Sequence, residues 1–173
     1  YYRYTNSEFN NRDLIAPPLS GQSWSDFLAS DNHYNSNILF NNGSPLPDTA
    51  YLFGHFEKGE IDDYVIYDYS SVESLYTGKG YRVATNTLMI EGNGEPLIFT
   101  GSLVTDTFNV VIKNDLIGDF AQWNLIGNPY ASYINVESFL NHVGSVSGVS
   151  NLSLLGEDTA AIYGYDANNS DGS

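Results

Sequence analysis

One segment constrains the fold more than any other: residues 123–130, with the sequence W-N-L-I-G-N-P-Y. From Trp123 to Gly127 the residues alternate with a period of two, which indicates a short strand. Pro129 has no amide hydrogen for a sheet and drives Asn128 toward an extended backbone, so the strand must end in a sharp corner. We assign structural roles at this corner to Trp123, Gly127, Asn128, Pro129 and Tyr130.

The same alternation predicts that the Trp123 indole is buried. It places Trp123, Leu125 and Gly127 on one face of the strand. We expect that face to pack against two further strands, at 97–103 and 108–112, which are themselves expected to pair.

The rest of the chain carries short strand patterns separated by turn residues. Strands at 51–56 and 64–69 flank a polar turn and are expected to form a hairpin. Further short strands are expected at 13–17, 81–84, 88–90, 152–155 and 160–165. Strands at intervals of roughly 8–12 residues are typical of a sandwich or a barrel.

Two short helices complete the predicted fold. Ser23 or Ser25 can cap the first, and Asn135 can cap the second, at 136–142. Apolar residues in this second helix recur at i, i+3, i+4 and i+7, so we expect one buried face. The predicted fold class is therefore all-β and mainly antiparallel, a β-sandwich of short strands with two short helices.

Composition excludes several functional classes. The 173 residues fit a single β-rich domain, and a hydrophobic content of 42% is enough for a core. With 21 acidic and 6 basic residues, the formal charge is -15, which disfavours nucleic acids and anionic membrane surfaces as partners. The chain has no cysteine. No apolar run approaches the roughly 18 residues of a membrane helix, so we expect no membrane insertion.

No motif in the chain predicts catalysis. The three histidines, His33, His55 and His142, do not form an H-x-x-x-H or H-E-x-x-H pattern. No G-x-S-x-G nucleophile elbow is present, and the G-x-G at 78–80 lacks the third glycine and the helix of a phosphate loop. We therefore expect a protein that is not an enzyme.

Two acidic clusters are candidate calcium sites, since Ca²⁺ takes six to eight oxygen ligands. One lies in the polar turn between the hairpin strands, and the other follows residue 165, with the alternation of an EF-hand loop but its glycine one place late. The candidate ligands are Glu60, Asp62, Asp63, Asp166, Asn168 and Ser170. The alternative interpretation of each cluster is a solvated polar turn, which is the commoner meaning of such sequences.

A second binding hypothesis concerns sugars. Exposed aromatic rings stack on sugar faces, while Asn and Asp bond the hydroxyls. The candidate residues are Trp24, Tyr34, Tyr67 and Tyr69. The alternative is that these rings form cross-strand pairs within a sheet.

Four segments resemble one family, in order and at compatible spacing: residues 75–85, 99–103, 123–130 and 161–166. They are similar to the β-rich extracellular domains of Bacteroidetes (flavobacterial) surface proteins exported by the type IX secretion system. That family usually has N-P-Y-P-S at the corner, whereas this chain has Ala131 in place of the second proline. The resemblance implies an extracellular or cell-surface location, and contact with the type IX machinery during export.

The resemblance implies a non-catalytic module for adhesion or display. The alternative is a carbohydrate-binding module attached to a polysaccharide-degrading enzyme, with surface glycans as partners. We also expect the chain to be a fragment of a larger protein, because residues 166–173 resemble a hairpin tip with no returning strand. The strand at 160–165 would then present an unpaired edge.

Overall fold

A computed structural model describes residues 1–5, 12–29, 35, 38–39, 50–58, 63–85, 95–113, 123–156 and 162, with only the backbone at 2–4, 29 and 95. Most of the regular structure in these ranges is antiparallel strand, accompanied by two short helices. The elements are β1 (Tyr2–Thr5), β2 (Asp13–Ile15), α1 (Trp24–Ala29), β3 (Ala50–Glu57), β4 (Asp63–Asp68), β5 (Tyr81–Val83), β6 (Glu95–Ile98) and α2 (Val136–Asn141). Within the described ranges, no helix has the length and apolarity needed to cross a membrane.

Four strands form one sheet in the order β2-β5-β3-β4, all antiparallel. The predicted hairpin of β3 and β4 is confirmed, with His55 opposite Val65. On its other side His55 lies opposite Tyr81 of β5. A Cβ at Gly54 would lie 3.0 Å from the Ile66 side chain and closer still to the Val65 carbonyl, so only glycine fits this approach of β3 to β4.

The other two strands, β1 and β6, pair with each other, with Tyr2 opposite Ile98. Buried Asn35 ties this pair to α1: its Nδ2 donates to the carbonyls of Phe27 and Ile98, and its Oδ1 accepts from the Ile98 amide at 2.8 Å. The Thr5 and Thr85 hydroxyls, 3.0 Å apart, link β1 to the residues after β5.

The core lies where α1 and residues from both sheets meet. Trp24 is at the centre of the core. The Phe53 ring stacks on it at 4.8 Å, and Trp24 Nε1 donates to the Asp68 carbonyl at 2.7 Å. Ser23 holds the start of α1, because its hydroxyl accepts from the Asp26 amide, as predicted for an N-cap. The buried cluster consists of Ile15, Trp24, Phe27, Ile38, Phe53, Tyr67, Leu75, Tyr81, Val83, Leu97 and Phe99.

Several strand predictions for the second half of the chain are wrong, including the short strand at 123–127, where Ile126 forms only an isolated bridge, with Lys79. The expected pair of strands at 97–103 and 108–112 does not form: β6 ends at Ile98, its edge is occupied by β1, and 108–112 belongs to no strand. Residues 152–155 are not a strand but a 3₁₀ helix, Leu152–Leu154, since the Leu155 amide bonds locally to the Leu152 carbonyl. The expected strand at 88–90 lies outside the described residues, as does 160–165 apart from Ile162.

The predicted position of the second helix is confirmed, but the prediction that one of its faces is buried is wrong. Asn135 caps α2 as predicted, because its Oδ1 accepts from the Ser138 amide at 2.8 Å. The helix has no buried residue. Its apolar stripe is at most half-buried, since Phe139 and Leu140 are partly covered and Val136 and Val143 are exposed.

Candidate functional site

A cleft of about 290 Å³ opens beside the end of β3, and it is the candidate site of this chain. The segment 108–113 forms a wall of the cleft, and the end of β3, the turn that precedes β5 and the first part of the corner segment also line it. The described lining residues are Phe56, Glu57, Lys58, Tyr76, Thr77, Lys79, Phe108, Asn109, Val110, Val111, Lys113, Asn124, Leu125 and Ile126.

The corner segment is held against the turn at 78–80. The Gly80 amide bonds to the Leu125 carbonyl at 3.2 Å, and the Gly127 amide bonds to the Gly78 carbonyl at 2.8 Å. A Cβ at Gly127 would lie 2.6 Å from the Lys79 carbonyl oxygen, so the two segments approach this closely only because the residue is glycine. Gly127 thus holds the corner segment against the 78–80 turn.

Gly78 has a positive φ of 80°, which favours glycine, and it also makes room for an aromatic ring. A Cβ there would lie 2.6 Å from the Phe108 ring. Phe108 therefore packs directly over the turn and brings the wall at 108–113 against it.

Tyr130 and Asn128 fix one end of that wall. The Tyr130 hydroxyl donates to the Asp106 carbonyl at 3.1 Å and accepts from the Phe108 amide at 3.2 Å. Asn128 shapes the corner itself, because its Oδ1 accepts from the Tyr130 amide and its Nδ2 donates to the Ser132 carbonyl. Pro129 is buried beside them.

The other end of the wall is held by an amide side chain. Asn124 Oδ1 accepts from the Lys113 amide at 2.9 Å, and its Nδ2 donates to the Lys113 carbonyl at 2.8 Å. The wall is thus tied to the corner segment at both ends, through Tyr130 near Phe108 and through Asn124 at Lys113.

Trp123 departs from its prediction. Its side chain is 53% exposed, so the expectation of a buried indole is wrong. The reason is that the strands expected to cover it are not there: β6 ends at Ile98, and the 108–112 segment lies along the cleft instead.

Beside the cleft, three ionisable side chains form a connected network. His55 Nε2 lies 3.3 Å from Glu57 Oε2, and Lys79 Nζ lies 2.5 Å from the same oxygen. His55 Nδ1 lies 3.2 Å from the Tyr67 hydroxyl. The hydrogen bond from Lys79 holds the pKa of Glu57 below its ordinary value, so the carboxylate is charged and can only accept.

Burial and the neighbouring Lys79 ammonium lower the pKa of His55, so its imidazole is neutral at pH 7. Because Glu57 can only accept, Nε2 carries the ring proton and Nδ1 accepts from Tyr67. His55 is 3% exposed and is surrounded by the rings of Tyr67, Tyr76 and Tyr81. Both nitrogens are therefore used inside the protein, and the imidazole cannot reach a substrate proton.

Burial also raises the pKa of Tyr81 to about 12, and it raises that of Tyr67 further. Both phenols stay protonated at neutral pH. The Tyr81 hydroxyl accepts from the Tyr76 amide at 2.7 Å and so helps to hold the turn before β5. The tyrosines beside the cleft thus support its geometry and supply no base.

The charges along the cleft are opposite to those of the whole chain. The chain has only three lysines, and all three line the cleft: Lys58, Lys79 and Lys113. Of the described lining residues, Glu57 is the one acidic side chain, and it is bonded to Lys79. Sequence patterns did not predict this grouping, because the lysines are 21 and 34 residues apart and meet only through the fold.

Most of the predicted calcium ligands lie outside the described residues: Glu60, Asp62, Asp166, Asn168 and Ser170. Asp63 is described, at the start of β4, where it is exposed and its Oδ1 accepts from the Tyr64 amide at 2.7 Å. Within the described part of the chain, no group of three or more metal-binding side chains is found. Calcium binding stays a prediction.

The sugar-binding candidates divide into three groups. Trp24 and Tyr67 are buried in the core at 0% and 1% exposure, so stacking on a sugar is wrong for both. Their burial follows from the packing of α1 onto the sheet, which sequence alternation does not reveal. Tyr34 lies outside the described residues, and Tyr69 is exposed at the end of β4.

Comparisons with protein-family models, with curated proteins and with solved structures found no match. The motifs of the sequence and the geometry of the cleft are therefore the evidence on function.

Proposed function

We propose that this chain is a non-catalytic binding module of a secreted or cell-surface protein, which serves in adhesion or display. The observation that carries the proposal is the contrast between the His55 network and the cleft. The network uses both imidazole nitrogens and the Glu57 carboxylate within the protein. The cleft beside it is open and has a wall fixed at both ends, which suits binding without chemistry.

The proposal includes the location and the route of export. The motifs at 75–85, 99–103 and 123–130 resemble extracellular domains that leave the cell through the type IX secretion system. On this proposal the export machinery is a transient partner, and the working location is the cell surface or the medium.

The proposed architecture is a β-sandwich. Its support is the shared core, in which Phe27 of α1 lies 5.1 Å from Phe99 after β6 and 5.3 Å from Phe53 of β3. Side chains from the four-stranded sheet and from the end of β6 thus meet around one helix. An experimental structure that places the β1–β6 pair beside the larger sheet, and not across the core from it, would refute the sandwich.

The test of function is retention on a surface. Beads that carry the domain are passed over immobilised bacterial and host cells, and beads that carry an unrelated acidic protein of similar charge are the control. We expect retention of the domain beads alone. Equal passage of both bead types, together with turnover of glycoside or peptide substrates by the domain, would contradict the proposal.

A carbohydrate-binding module is the second candidate function. It is favoured by the aromatic rings that line the cleft, Phe56, Tyr76 and Phe108, since such rings stack on sugar faces. Sedimentation with insoluble polysaccharides distinguishes it from a protein-binding adhesin, because only a carbohydrate-binding module moves to the pellet with the polysaccharide.

A further inference from the structure

We propose that the cleft binds an acidic sugar, a uronic acid unit whose carboxylate pairs with Lys113 and whose ring packs on the apolar wall. The inference rests on the proposed binding function and names its ligand. Its first support is the distribution of charge. In a chain of formal charge -15, all three lysines line one cleft, whose described lining holds a single carboxylate.

The lysines are not all neutralised by that carboxylate. Glu57 is bonded to Lys79 and lies beside His55, which is neutral. Among the described residues, no carboxylate pairs with Lys113, whose backbone is held in place by Asn124. Lys113 thus lines the cleft from a fixed backbone, and a ligand carboxylate can form a charge-assisted hydrogen bond with its ammonium.

Apolar and neutral groups lie between the lysines. Phe108 and Ile126 are partly exposed along the cleft, and Tyr76 also lines it, with the Lys79 ammonium 4.5 Å from the centre of the Tyr76 ring. Such surfaces accept the apolar face of a sugar ring. The polar side chains of Thr77 and Asn109 also line the cleft and match sugar hydroxyls.

Size and charge together select the ligand class. A volume of about 290 Å³ is at the lower end of ligand pockets, which suits one or two sugar rings of a longer polysaccharide. A neutral sugar would leave the charge of Lys113 without an opposite charge. An oligoglutamate offers carboxylates but no ring face, whereas a uronic acid offers both, so the uronic acid matches more of the lining than either of the other ligands.

The experiment is calorimetric titration of the whole chain at low and at physiological salt. The probes are a trisaccharide of galacturonic acid, a trisaccharide of galactose and a short oligoglutamate. We expect the uronic trisaccharide to bind most tightly, with an affinity that falls as salt rises. The amides of Lys79, Lys113 and Ile126 should shift in NMR spectra of the wild-type protein.

Variants locate the site. Lys113→Gln should lower affinity for the uronic trisaccharide about tenfold, the usual effect of losing a charge-assisted bond. Lys113→Arg should keep most of it. Arg82→Gln is the matched control, because it removes an equal charge that lies over the Tyr64 ring and outside the described cleft lining. Equal loss in Arg82→Gln would overturn the site.

The other outcomes separate this inference from the proposed function. Equal binding of the neutral trisaccharide would overturn the role of the lysines and keep a carbohydrate-binding module. Tighter binding of oligoglutamate would overturn the sugar and make the partner an acidic peptide. Binding of none of the three overturns the inference, whereas the bead assay then still decides whether the chain is a binding module.

Discussion

The two tryptophans of this chain are a matched pair for testing where its stability resides. Trp24 is fully buried and Trp123 is 53% exposed. The perturbation is Trp24→Ala, with Trp123→Ala as the control of identical chemistry. If the core is centred on Trp24, the two substitutions must differ greatly in their effect on the free energy of unfolding.

The expected magnitude follows from the surroundings of Trp24. A large aromatic ring buries about 150–250 Å², worth roughly 4–6 kcal/mol at 25 cal/mol per Å², as an upper limit. Measured truncations of buried aromatics cost about 3–5 kcal/mol. The bond from Nε1 to the Asp68 carbonyl, 2.7 Å long, adds about 1 kcal/mol. We therefore expect Trp24→Ala to cost about 4–5 kcal/mol, a large part of the roughly 5–15 kcal/mol of a typical domain.

The assay is urea unfolding followed by circular dichroism, with the midpoint and slope fitted separately. Trp123→Ala should cost no more than about 1 kcal/mol, as for a surface substitution. The single-tryptophan variants Trp24→Phe and Trp123→Phe give a direct check by fluorescence. The residue remaining in Trp123→Phe should resist acrylamide quenching. Equal midpoints for the two alanine variants would refute a core built on Trp24.

Three further predictions concern pH, the corner and the second helix. The pKa of buried His55 lies below its ordinary 6.5, so the unfolded chain binds more protons below that pH and stability should fall as pH drops from about 7 toward 5. In His55→Gln the urea midpoint should decline less over this pH range, and an unchanged decline would contradict the assignment. Glu57 does not contribute to this decline, because its lowered pKa affects stability only below its ordinary value of 4.5. Gly127→Ala should cost about 1–3 kcal/mol, because its new methyl group meets the Lys79 carbonyl, and an unchanged melting temperature would disprove that close approach. Asn135→Ala should speed amide exchange in α2, because losing the cap costs about 1 kcal/mol of local helix stability. The urea midpoint of the whole domain should change little, because the helix buries no residue. A large fall in that midpoint would contradict this prediction.

Local patterns predicted the elements whose causes are local. The β3–β4 hairpin follows from two alternating segments around a polar turn, and the caps at Ser23 and Asn135 follow from residues beside the helices they start. The corner at Asn128 was also predictable from the sequence, because a proline restricts the backbone of the residue before it. Each of these features depends on neighbours along the chain.

Predictions failed where the outcome depends on distant partners. Alternation placed Trp123, Leu125 and Gly127 on one side of the chain but could not show what covers that side. The edge of β6 is occupied by β1 and not by residues 108–112. The sequence pattern suggested that the ring of Tyr67 is exposed, whereas in the structure Trp24 packs against it and both rings lie in the core. Glu60, Asp62 and the cluster that begins at Asp166 lie outside the described residues, so calcium binding by them stays a prediction.

By itself, the sequence determined an antiparallel β-rich chain, two capped helices and a rigid proline corner, because these depend on backbone geometry and short-range periodicity. Tertiary structure alone decided which aromatic rings are buried and which line a cleft. It also brought Lys58, Lys79 and Lys113 to one cleft, although they are far apart in the sequence. They meet there because the corner segment packs on the turn at 78–80 and is bonded to the wall at 108–113.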